Sequence, residues 1–522
     1  MTMSIGSAVL VTTSNFIKHF EMKIVNIVWS QFVLISVVII FSIYREDISK
    51  KLFKQDAIIG NQTQSKDSKI LKYWDVCLHN WNKNGNLRTV KRVFERLGYE
   101  AADGSKGDDW DILWSMEYPY QDNYPEVFNA MFQPLKPHQK INHYPGTSFI
   151  TNKVYLTTHN RDLDFILPSF ELPRMEKDFQ EYIKLNPNKR LVTKHMYNRG
   201  VKIVNQTDVQ NQKKFKFLQE FMEDPLLIDD HFFDIGVYVL TTSVDPLRVY
   251  RYDRDIIIRF CNQPYYPFDP NIIGKYVVDG THLPDAELPS FKRFLDDYGF
   301  PSKAAFEAIL KEKNYDVNQF WENIDDAITT LMLRNENRVI AELKRYNFTF
   351  HRNNFELVRF DFVLDKNFKL YLMEVNQSPN LTPTYQLFKD NSLIREQLVY
   401  ETLVLVGAGS YFDMMSCYDK HSEEMTSNSR NIAVNIKTCE NNNCRSNFGL
   451  KECELCLTYL SEENILYMHQ ASREHYRRGG FTRLLPSKRY NEKFLNSTKI
   501  SENNKISFNW FKMKCKEDVS WC

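Results

Sequence analysis

The fold is decided by two runs of sequence, ELVRFDFVL from Glu356 to Leu364 and LYLMEVN from Leu370 to Asn376. Both runs are rich in β-branched and aromatic residues and flank a polar turn, so they predict a β-hairpin. With a loop running from Lys366 to Lys369, Asp361 lies opposite Glu374. The sequence therefore predicts that two carboxylates meet across this hairpin.

The same register predicts which side chains of the hairpin lie together. It pairs Leu364 with Tyr371 and Val363 with Leu372. Alternate residues of the second strand should share one face, apolar near the turn and oxygen-bearing at the open end: Leu370, Leu372, Glu374 and Asn376. Opposed like charges destabilise a sheet unless a cation lies between them, and Mg²⁺ prefers such oxygen ligands. The alternative is an exposed acidic pair that solvent and salt screen.

The length of the chain leaves room for several domains, but its composition does not indicate a class of binding partner. The chain has 522 residues, of which 43% are hydrophobic, and its formal net charge is +1. A nearly neutral chain has no overall field that would attract nucleic acid, so a charged partner must be met by local patches.

One segment has the composition of a membrane span. Residues 24–44 are predominantly apolar and uncharged, with Trp29 and Tyr44 as interface anchors. Two lysines precede the segment, and four basic residues follow it: Lys18 and Lys23, then Arg45, Lys50, Lys51 and Lys54. This bias predicts a single-pass membrane protein whose bulk is cytosolic. A cleaved signal peptide is the alternative for the segment.

Two features favour a lumenal orientation instead. The chain has 9 cysteines, most of them in its C-terminal quarter. Glycosylation sequons occur at six asparagines: Asn61, Asn205, Asn347, Asn376, Asn380 and Asn496. A glycan on Asn376 would block the predicted metal face. The lumenal orientation is therefore kept as the alternative.

The rest of the chain divides into recognisable parts. Residues 1–23 form a tail, and the polar residues 45–70 form a stalk. Globular patterning begins near Trp74, where a helix over Thr89–Leu97 and a buried strand over Asp109–Trp114 predict a small N-terminal α/β lobe. Downstream, strands over Phe217–Met222, Phe232–Leu240, Leu247–Tyr252 and Ile256–Phe260 precede helices over Phe291–Tyr298, Ser302–Lys313 and Gln319–Leu343. The overall prediction is an α+β fold.

Some polar residues stand out from this background. Lys194 ends a strand beside a basic turn, where it could hold phosphate or simply be solvated. Asp234 interrupts an apolar strand, and burial of its carboxylate is costly without a partner such as Arg259. Lys153 has the features of an ordinary surface lysine.

Several segments together resemble the tubulin tyrosine ligase-like proteins, which use an ATP-grasp fold. The similarity runs from about Trp74 to Gly407, and it rests on five segments in family order: Asp109–Trp114, Asn142–Gly146, Phe221–Ile228, Asp245–Tyr250 and Glu374–Leu381. The resemblance implies an ATP-grasp ligase domain over 71–410 that joins an amino acid to a protein carboxylate through an acyl phosphate, with ATP and Mg²⁺.

The resemblance also implies roles for individual residues. Lys153 and Lys194 match lysines that hold ATP phosphates, and Asp234 and Arg259 match polar groups at the reaction centre. The strand that receives adenine is matched by Gln219, Glu220, Phe221 and Met222. The metal ligands are matched by Asp361, Glu374 and Asn376.

The chain departs from the family pattern at several of these places. His195 replaces a proline after Lys194, and Lys202 stands where the shorter turn should have a second glycine. Phe232 and Gly236 replace the two basic residues of the Asp234 strand. Loss of one charged donor typically raises a barrier by about 2 to 4 kcal/mol. The His-Leu-Thr-Asn segment expected within 272–283 is unrecognisable.

Residues 411–522 form a C-terminal extension beyond the similarity. Its four clustered cysteines are spaced either for a structural zinc site or for free or disulfide-bonded thiols: Cys439, Cys444, Cys453 and Cys456. Its basic residues could hold an acidic tubulin tail or form a solvated face: Arg473, Arg477, Arg478, Arg483, Lys488, Arg489 and Lys493.

The leading hypothesis is a membrane-anchored tubulin polyglutamylase whose partners are tubulin, free glutamate and the membrane. The alternative is a pseudoenzyme that binds nucleotide or tubulin as an adaptor, because Phe232 and Gly236 replace expected basic residues. A ligase with another acceptor or amino acid is the third interpretation.

Overall fold

The computed structural model describes residues 71–76, 87–104, 109–120, 135–136, 138–194, 200–211, 217–278, 282–345, 353–381, 389–409, 429–441, 444, 450–489 and 500–522. The predicted membrane segment and stalk lie outside these residues and stay predictions. No helix within these ranges combines the length and hydropathy that a membrane span requires.

The N-terminal lobe is built on a parallel sheet with the strand order β2-β1-β3-β4. Its strands are β1 (Lys72–Val76), β2 (Glu100–Ala101), β3 (Ile112–Ser115) and β4 (Lys140–Ile141). Helix α1 (Arg88–Arg96) buries its apolar side, and the chain then turns at Gly98, whose φ of 81° suits a residue without a side chain. The predicted α/β arrangement is confirmed.

A second, antiparallel sheet has the order β5-β8-β6-β7. Its strands are β5 (Ser169–Glu171), β6 (Leu191–Lys194), β7 (Val201–Val204) and β8 (Phe217–Glu220). Leu191, Leu218 and Phe179 belong to one apolar cluster on this sheet. The sheet therefore has a small core of its own.

The third and largest sheet is organised around the long strand β10. One edge of β10 pairs with β14, and the other edge pairs first with β12 and then with β11. The remaining strands extend this arrangement outward. The strands are β9 (Leu227–Ile228), β10 (His231–Val244), β11 (Leu247–Tyr252), β12 (Ile257–Phe260), β13 (Leu283–Pro284), β14 (Glu356–Leu364), β15 (Leu370–Asn376) and β16 (Phe481–Leu485).

Helices cover both faces of this sheet. The longest begins after Asp316, whose carboxylate accepts hydrogen bonds from the backbone N–H groups of Asn318 and Gln319 and so caps the first turn. The longest helix is α8, and the helices that follow α1 in the chain are α2 (Ser148–Thr151), α3 (Lys153–Thr158), α4 (Glu176–Leu185), α5 (Gln206–Asn211), α6 (Pro289–Lys292), α7 (Ser302–Glu312), α8 (Val317–Arg345), α9 (Lys389–Leu405), α10 (Ser429–Ile432), α11 (Ile436–Cys439), α12 (Glu462–Arg477) and α13 (Glu502–Glu517). The α+β prediction is confirmed.

The two faces of the largest sheet belong to different apolar cores. Phe360 and Phe362 face the cluster that contains residues of α7 and α8. Leu357 and Tyr238 face the cluster that contains residues of α1 and α9. Strand alternation therefore places the remaining odd-numbered residues of β14 on the α9 side.

A buried carboxylate ties the N-terminal lobe to the start of β14. Glu356 accepts hydrogen bonds from the backbone N–H of Tyr144 at 3.1 Å and from Oγ1 of Thr147 at 2.9 Å, and Nδ1 of His143 lies 2.8 Å away. Both His143 and Glu356 are fully buried. The Asn142–Gly146 loop thus fixes the position from which the hairpin starts.

The C-terminal residues contribute directly to the largest sheet. Strand β16 pairs antiparallel with β11, with Arg483 opposite Tyr250. Arg483 is partly buried and donates to the backbone oxygen of Trp521, while Arg489 pairs with Glu322 and Asp326. The domain boundary at 410/411 stays a prediction, although part of this extension completes the sheet.

The prediction of a structural zinc site is wrong. The four clustered cysteines form two disulfides, Cys439–Cys456 and Cys444–Cys453, and Cys515 pairs with Cys522. A disulfide sulfur has no thiolate to offer a metal. Among the residues that the structure describes, no group of three or more His, Cys, Asp or Glu side chains could hold a metal ion.

Candidate active site

Four neighbouring strands bring polar side chains to one face of the largest sheet. Asp234 on β10 pairs with Arg259 on β12, and Asp361 on β14 pairs both with Gly236 on β10 and with Glu374 on β15. Cross-strand partners share a face, and so do alternate residues of one strand. The predicted reaction-centre residues and metal ligands are therefore neighbours.

The predicted register of the hairpin is right at its open end and wrong at its turn. Leu364 pairs with Leu370 and Val363 with Tyr371, one residue away from the prediction. The turn is one residue tighter than predicted, because the backbone N–H of Asp365 donates to the carbonyl oxygen of Lys369 and the Asp365 carboxylate accepts from the backbone N–H groups of Asn367 and Lys369. The turn thus uses a side chain that the simple pairing rule ignores.

An irregularity between Asp361 and Phe362 then restores the predicted opposition of the two carboxylates. Phe362 pairs with Leu372, whereas Asp361 pairs with Glu374, so Met373 is an extra residue on β15. Leu372 and Glu374 consequently lie on opposite faces, and the predicted common face of the second strand is wrong. Leu370 and Leu372 join the apolar core.

Arg259 connects the two central carboxylates. Its Nε and Nη2 donate to Oδ1 and Oδ2 of Asp234 at 2.9 and 2.6 Å, and Nη2 also donates to Oδ2 of Asp361 at 2.8 Å. The pairing of Asp234 with Arg259 that the apolar strand predicted is present. The bidentate geometry fixes both side chains in the plane of the guanidinium.

Asn376 and Lys153 complete the cluster around Glu374. The amide Nδ2 of Asn376 donates to Oδ2 of Asp361 at 2.7 Å and to Oε1 of Glu374 at 3.1 Å. The ammonium of Lys153 lies 2.7 Å from Oε2 of Glu374. Positive and N–H groups thus occupy the space between the carboxylates.

These residues fit a magnesium ion. Asp361 and Glu374 supply hard carboxylate oxygens and Asn376 an amide oxygen, which is the donor set that Mg²⁺ prefers when substrate phosphates provide the rest. Such a site needs only one or two carboxylates, so the absence of a larger acidic cluster among the described residues does not exclude it. The bound ion would neutralise the negative charge of the phosphate groups.

Asp234 has an unusual protonation equilibrium. Burial raises its pKa to about 6, Asp361 adds to the increase, and Arg259 opposes it. The pKa of Asp234 is therefore closer to neutral pH than the pKa of an exposed aspartate. The group can respond to charge that develops nearby.

Lys153 is placed by a helix cap. Oδ1 of Asn152 accepts from the backbone N–H groups of Val154 and Tyr155 at 3.0 and 3.2 Å, which starts α3 at Lys153. The Lys153 side chain is 47% exposed, so its ammonium can exchange Glu374 for a ligand. The resemblance found this lysine, whereas its surroundings in the sequence gave no signal.

The predicted adenine strand is β8 and the residues that follow it. Gln219 is buried and donates to Ser169, while Glu220 accepts from Tyr182 at 2.6 Å and Lys189 at 2.7 Å. Phe221 is buried, and Met222 is partly exposed. Lys194 ends β6 opposite Val201, and the following residues 195–199 lie outside the described ranges.

Sequence reasoning missed Arg359. Its Nε and Nη2 donate to Oδ1 and Oδ2 of Asp361 at 2.6 and 2.8 Å. The available signal was alternation, since a residue two positions before a metal ligand on a strand shares its face. The departures from the family pattern drew attention to Gly236 instead.

Comparisons with known proteins identify the family of this chain. The model of the tubulin-tyrosine ligase family matches residues 132–408. The probable tubulin polyglutamylase ttll-15 of Caenorhabditis elegans is 32% identical over 446 residues, which cover 84% of each chain. The tubulin polyglutamylase TTLL6 of Mus musculus is 29% identical over 345 residues, which cover 63% of this chain and 40% of that protein.

A third relative shows how far the similarity extends. The tubulin monoglutamylase TTLL4 of Homo sapiens is 25% identical over 337 residues, which cover 61% of this chain and 26% of that protein. The chain thus spans most of the nematode relative and less than half of the two mammalian ones. From the extent of the family match and the coverage of the nematode relative, the chain belongs to the tubulin-tyrosine ligase family.

Proposed function

We propose that this chain is an ATP-dependent carboxylate–amine ligase of the polyglutamylase type, with an ATP-grasp fold, that adds glutamate to glutamate side chains in the C-terminal tail of tubulin. Family membership and the names of the relatives support this proposal. The names do not favour the adaptor hypothesis, because all three relatives described above are named as glutamylases.

The observation that carries the proposal is the arrangement of Asp361, Glu374 and Asn376 beside Lys153 and Arg259. Asn376 lies within hydrogen-bonding distance of both Asp361 and Glu374, and three cations border the two carboxylates: Lys153, Arg259 and Arg359. Phosphoryl transfer depends mainly on positioning and on neutralising the charge of the phosphate oxygens. This cluster supplies carboxylates that can hold a metal ion and cations that can neutralise phosphate charge.

The proposed reaction has two steps. The γ-phosphoryl group of ATP passes to a carboxylate oxygen of the acceptor, which leaves ADP and an acyl phosphate. The amine of free glutamate then attacks the acyl carbon, inorganic phosphate departs, and the nitrogen loses a proton. Lys153 and Lys194 would hold ATP phosphates, while Arg259 keeps Asp234 and Asp361 in place.

The nucleotide base would lie against the aromatic side of the second sheet. Phe221 packs against Phe268 and Tyr276, with ring centroids 5.6 and 5.7 Å apart. The guanidinium of Arg190 lies 4.5 Å from the Phe268 ring centroid. Flat apolar side chains next to a strand suit a planar base, whose edge could bond to the strand backbone.

The test is incorporation of labelled glutamate into tubulin by the purified full-length protein with Mg-ATP. Glu374→Gln should reduce incorporation at least a hundredfold, because it removes a charge from the metal ligands. Glu452→Gln changes an exposed glutamate in the same chemical way and should leave the rate unchanged. Wild-type protein that transfers no amino acid to tubulin would contradict the proposal.

A further inference from the structure

Gly236 lies in the middle of β10, where the family pattern leads one to expect arginine. It pairs with Asp361 on β14 and with Ile257 on β12. A Cβ atom placed on Gly236 would lie 2.8 Å from Cδ of Arg359 and 3.2 Å from Oδ1 of Asp361. Any side chain at position 236 would therefore displace Arg359.

Arg359 fills this space from the neighbouring strand. Its backbone pairs with Tyr238 on β10 and Asn376 on β15, so its side chain shares the face of the cluster. The side chain runs over Gly236 and ends in the bidentate contact with Asp361. A glycine is required at 236 for the arginine to take this path.

The two negative charges of Asp234 and Asp361 are balanced only when Arg359 is counted together with Arg259. Arg259 and Arg359 both contact Asp361, and Asp234 accepts the remaining bonds of Arg259. The Arg359 side chain is only 9% exposed, and a buried guanidinium without a partner is very costly. A guanidinium does not lose its proton in proteins, so the Arg359 side chain is a cation.

We propose that Arg359 supplies from β14 the guanidinium that β10 lacks at Gly236, and that it positions the Asp361 carboxylate for the metal and for the reacting phosphate. The arginine at position 359 then compensates for the arginine that is missing at position 236. This inference deepens the proposed function and rests on it for the identity of the ligand, Mg-ATP.

The geometry explains what such a positioning residue would do. Asp361 must present a fixed oxygen to the metal, and Arg359 and Arg259 hold its two oxygens from different strands. An arginine fork fixes the carboxylate plane better than the point charge of a lysine. Loss of Arg359 should therefore affect magnesium dependence and turnover more than nucleotide affinity.

The experiment exchanges the two residues. Arg359→Gly and Gly236→Arg are made singly and together in the full-length protein, with Arg359→Lys as a conservative variant. Arg345→Gly changes an exposed arginine at the end of α8 and serves as the control. Glutamate incorporation is measured as kcat and KM for ATP across a magnesium titration, and Mg-dependent ATP binding is measured separately.

Each single variant should lower kcat about a hundredfold and shift the magnesium midpoint upward. Because a guanidinium is again present, the double variant should recover at least tenfold relative to either single variant. Arg359→Lys should recover part of kcat. A double variant no better than the worse single variant, or an Arg359→Gly variant with unchanged kcat and magnesium midpoint, would overturn the proposal.

The two proposals can fail separately. Wild-type protein without ligase activity on tubulin would contradict the proposal that tubulin is the acceptor. The magnesium dependence of ATP binding would still test the role of Arg359. Thermal unfolding of each variant identifies a purely structural effect, since unfolding would lower stability and binding together without a selective magnesium shift. Equal magnesium midpoints for folded wild-type and Arg359→Gly protein would contradict the role of Arg359.

Discussion

Arg248 on β11 and Glu474 on α12 form a fully buried ion pair that joins the largest sheet to the C-terminal helices. Nε of Arg248 lies 2.9 Å from Oε2 of Glu474, and the two side chains are 2% and 6% exposed. Thr242 and Tyr250 donate to the same carboxylate oxygen at 2.9 and 2.8 Å. The C-terminal extension is therefore anchored by a polar network as well as by β16.

The first prediction is that removing one partner of this network destabilises the protein. Glu474→Ala leaves the Arg248 guanidinium buried without its carboxylate, which typically costs about 3 to 5 kcal/mol. Denaturant unfolding followed by fluorescence measures the change. Glu502→Ala, which removes the exposed Lys505 partner at the start of α13, should cost less than about 1 kcal/mol. Similar losses for the two variants would contradict the prediction.

The second prediction concerns the pH dependence of stability. Asp255 accepts backbone N–H bonds from Ile256 and Lys303, and burial raises its pKa to about 6, with a further contribution from Asp285. Because this folded-state pKa exceeds the ordinary value of 3.8, the folded protein binds the proton more tightly. The group's contribution to the free energy of unfolding therefore rises as pH falls from 7 toward 4, by at most about 1.4 kcal/mol per unit.

The variant Asp255→Asn removes this titration and should flatten the dependence. Unfolding free energies at pH 7 and pH 5 measure the slope, and Asp297→Asn changes an exposed carboxylate as the control. Asp234 has a pKa shifted in the same direction, so part of the wild-type slope should remain. An Asp255→Asn protein with the full wild-type slope would show that another group titrates.

The sequence was most informative where one local rule decided the structure. Continuous apolar runs identified β10, β11 and β14 because each strand buries both faces in the two cores. The opposition of Asp361 and Glu374 was also predicted. The turn-end register was not, because it depends on the Asp365 side chain and on the extra residue Met373.

Features that depend on distant parts of the chain escaped sequence reasoning. The contact between Gly236 and Arg359 joins strands that are far apart in sequence, and neither residue alone indicates it. The cysteine spacing suited either zinc or disulfides, and only the three-dimensional pairing of Cys439 with Cys456 separates them. Likewise, nothing near Arg483 indicates that β16 completes the sheet.

The third prediction is that the purified protein contains the disulfides Cys439–Cys456 and Cys444–Cys453 and no stoichiometric zinc. Peptide mapping without reduction checks the pairing, and elemental analysis checks the metal. The bonds close loops with sequence separations of 17 and 9 residues, so each should stabilise the protein by about 2 to 4 kcal/mol. One zinc ion per chain with free thiols would contradict the pairing.

The same bonds bear on the orientation that the flanking charges predicted. Disulfides are typical of oxidising compartments, whereas the charges that flank residues 24–44 predict a cytosolic ligase domain, so the two features make opposite predictions. Thiol labelling in intact cells, together with glycosidase treatment that tests the exposed sequon at Asn205, distinguishes the two. Oxidised cysteines with a glycan at Asn205 would contradict the cytosolic orientation.

The fourth prediction is that Lys153 exchanges one partner for another when ATP binds. Its ammonium lies 2.7 Å from Glu374, and its partial exposure leaves it accessible to phosphate. Because a charged hydrogen bond contributes about 1.5 to 3 kcal/mol, Lys153→Met should weaken Mg-ATP binding roughly tenfold to a hundredfold. Isothermal titration calorimetry measures the affinity, and Lys177→Met on the exposed side of α4 is the matched control.

The cap of the same helix provides an independent check on Lys153. Asn152→Ala removes the acceptor for Val154 and Tyr155 but keeps the lysine, so it should weaken ATP binding less than Lys153→Met does. The free energy of unfolding of Asn152→Ala should also decrease by about 1 kcal/mol, because helix α3 loses the hydrogen bonds of its N-terminal cap. Unchanged ATP affinity in Lys153→Met would mean that this lysine contacts only Glu374 and leaves the phosphates to other residues.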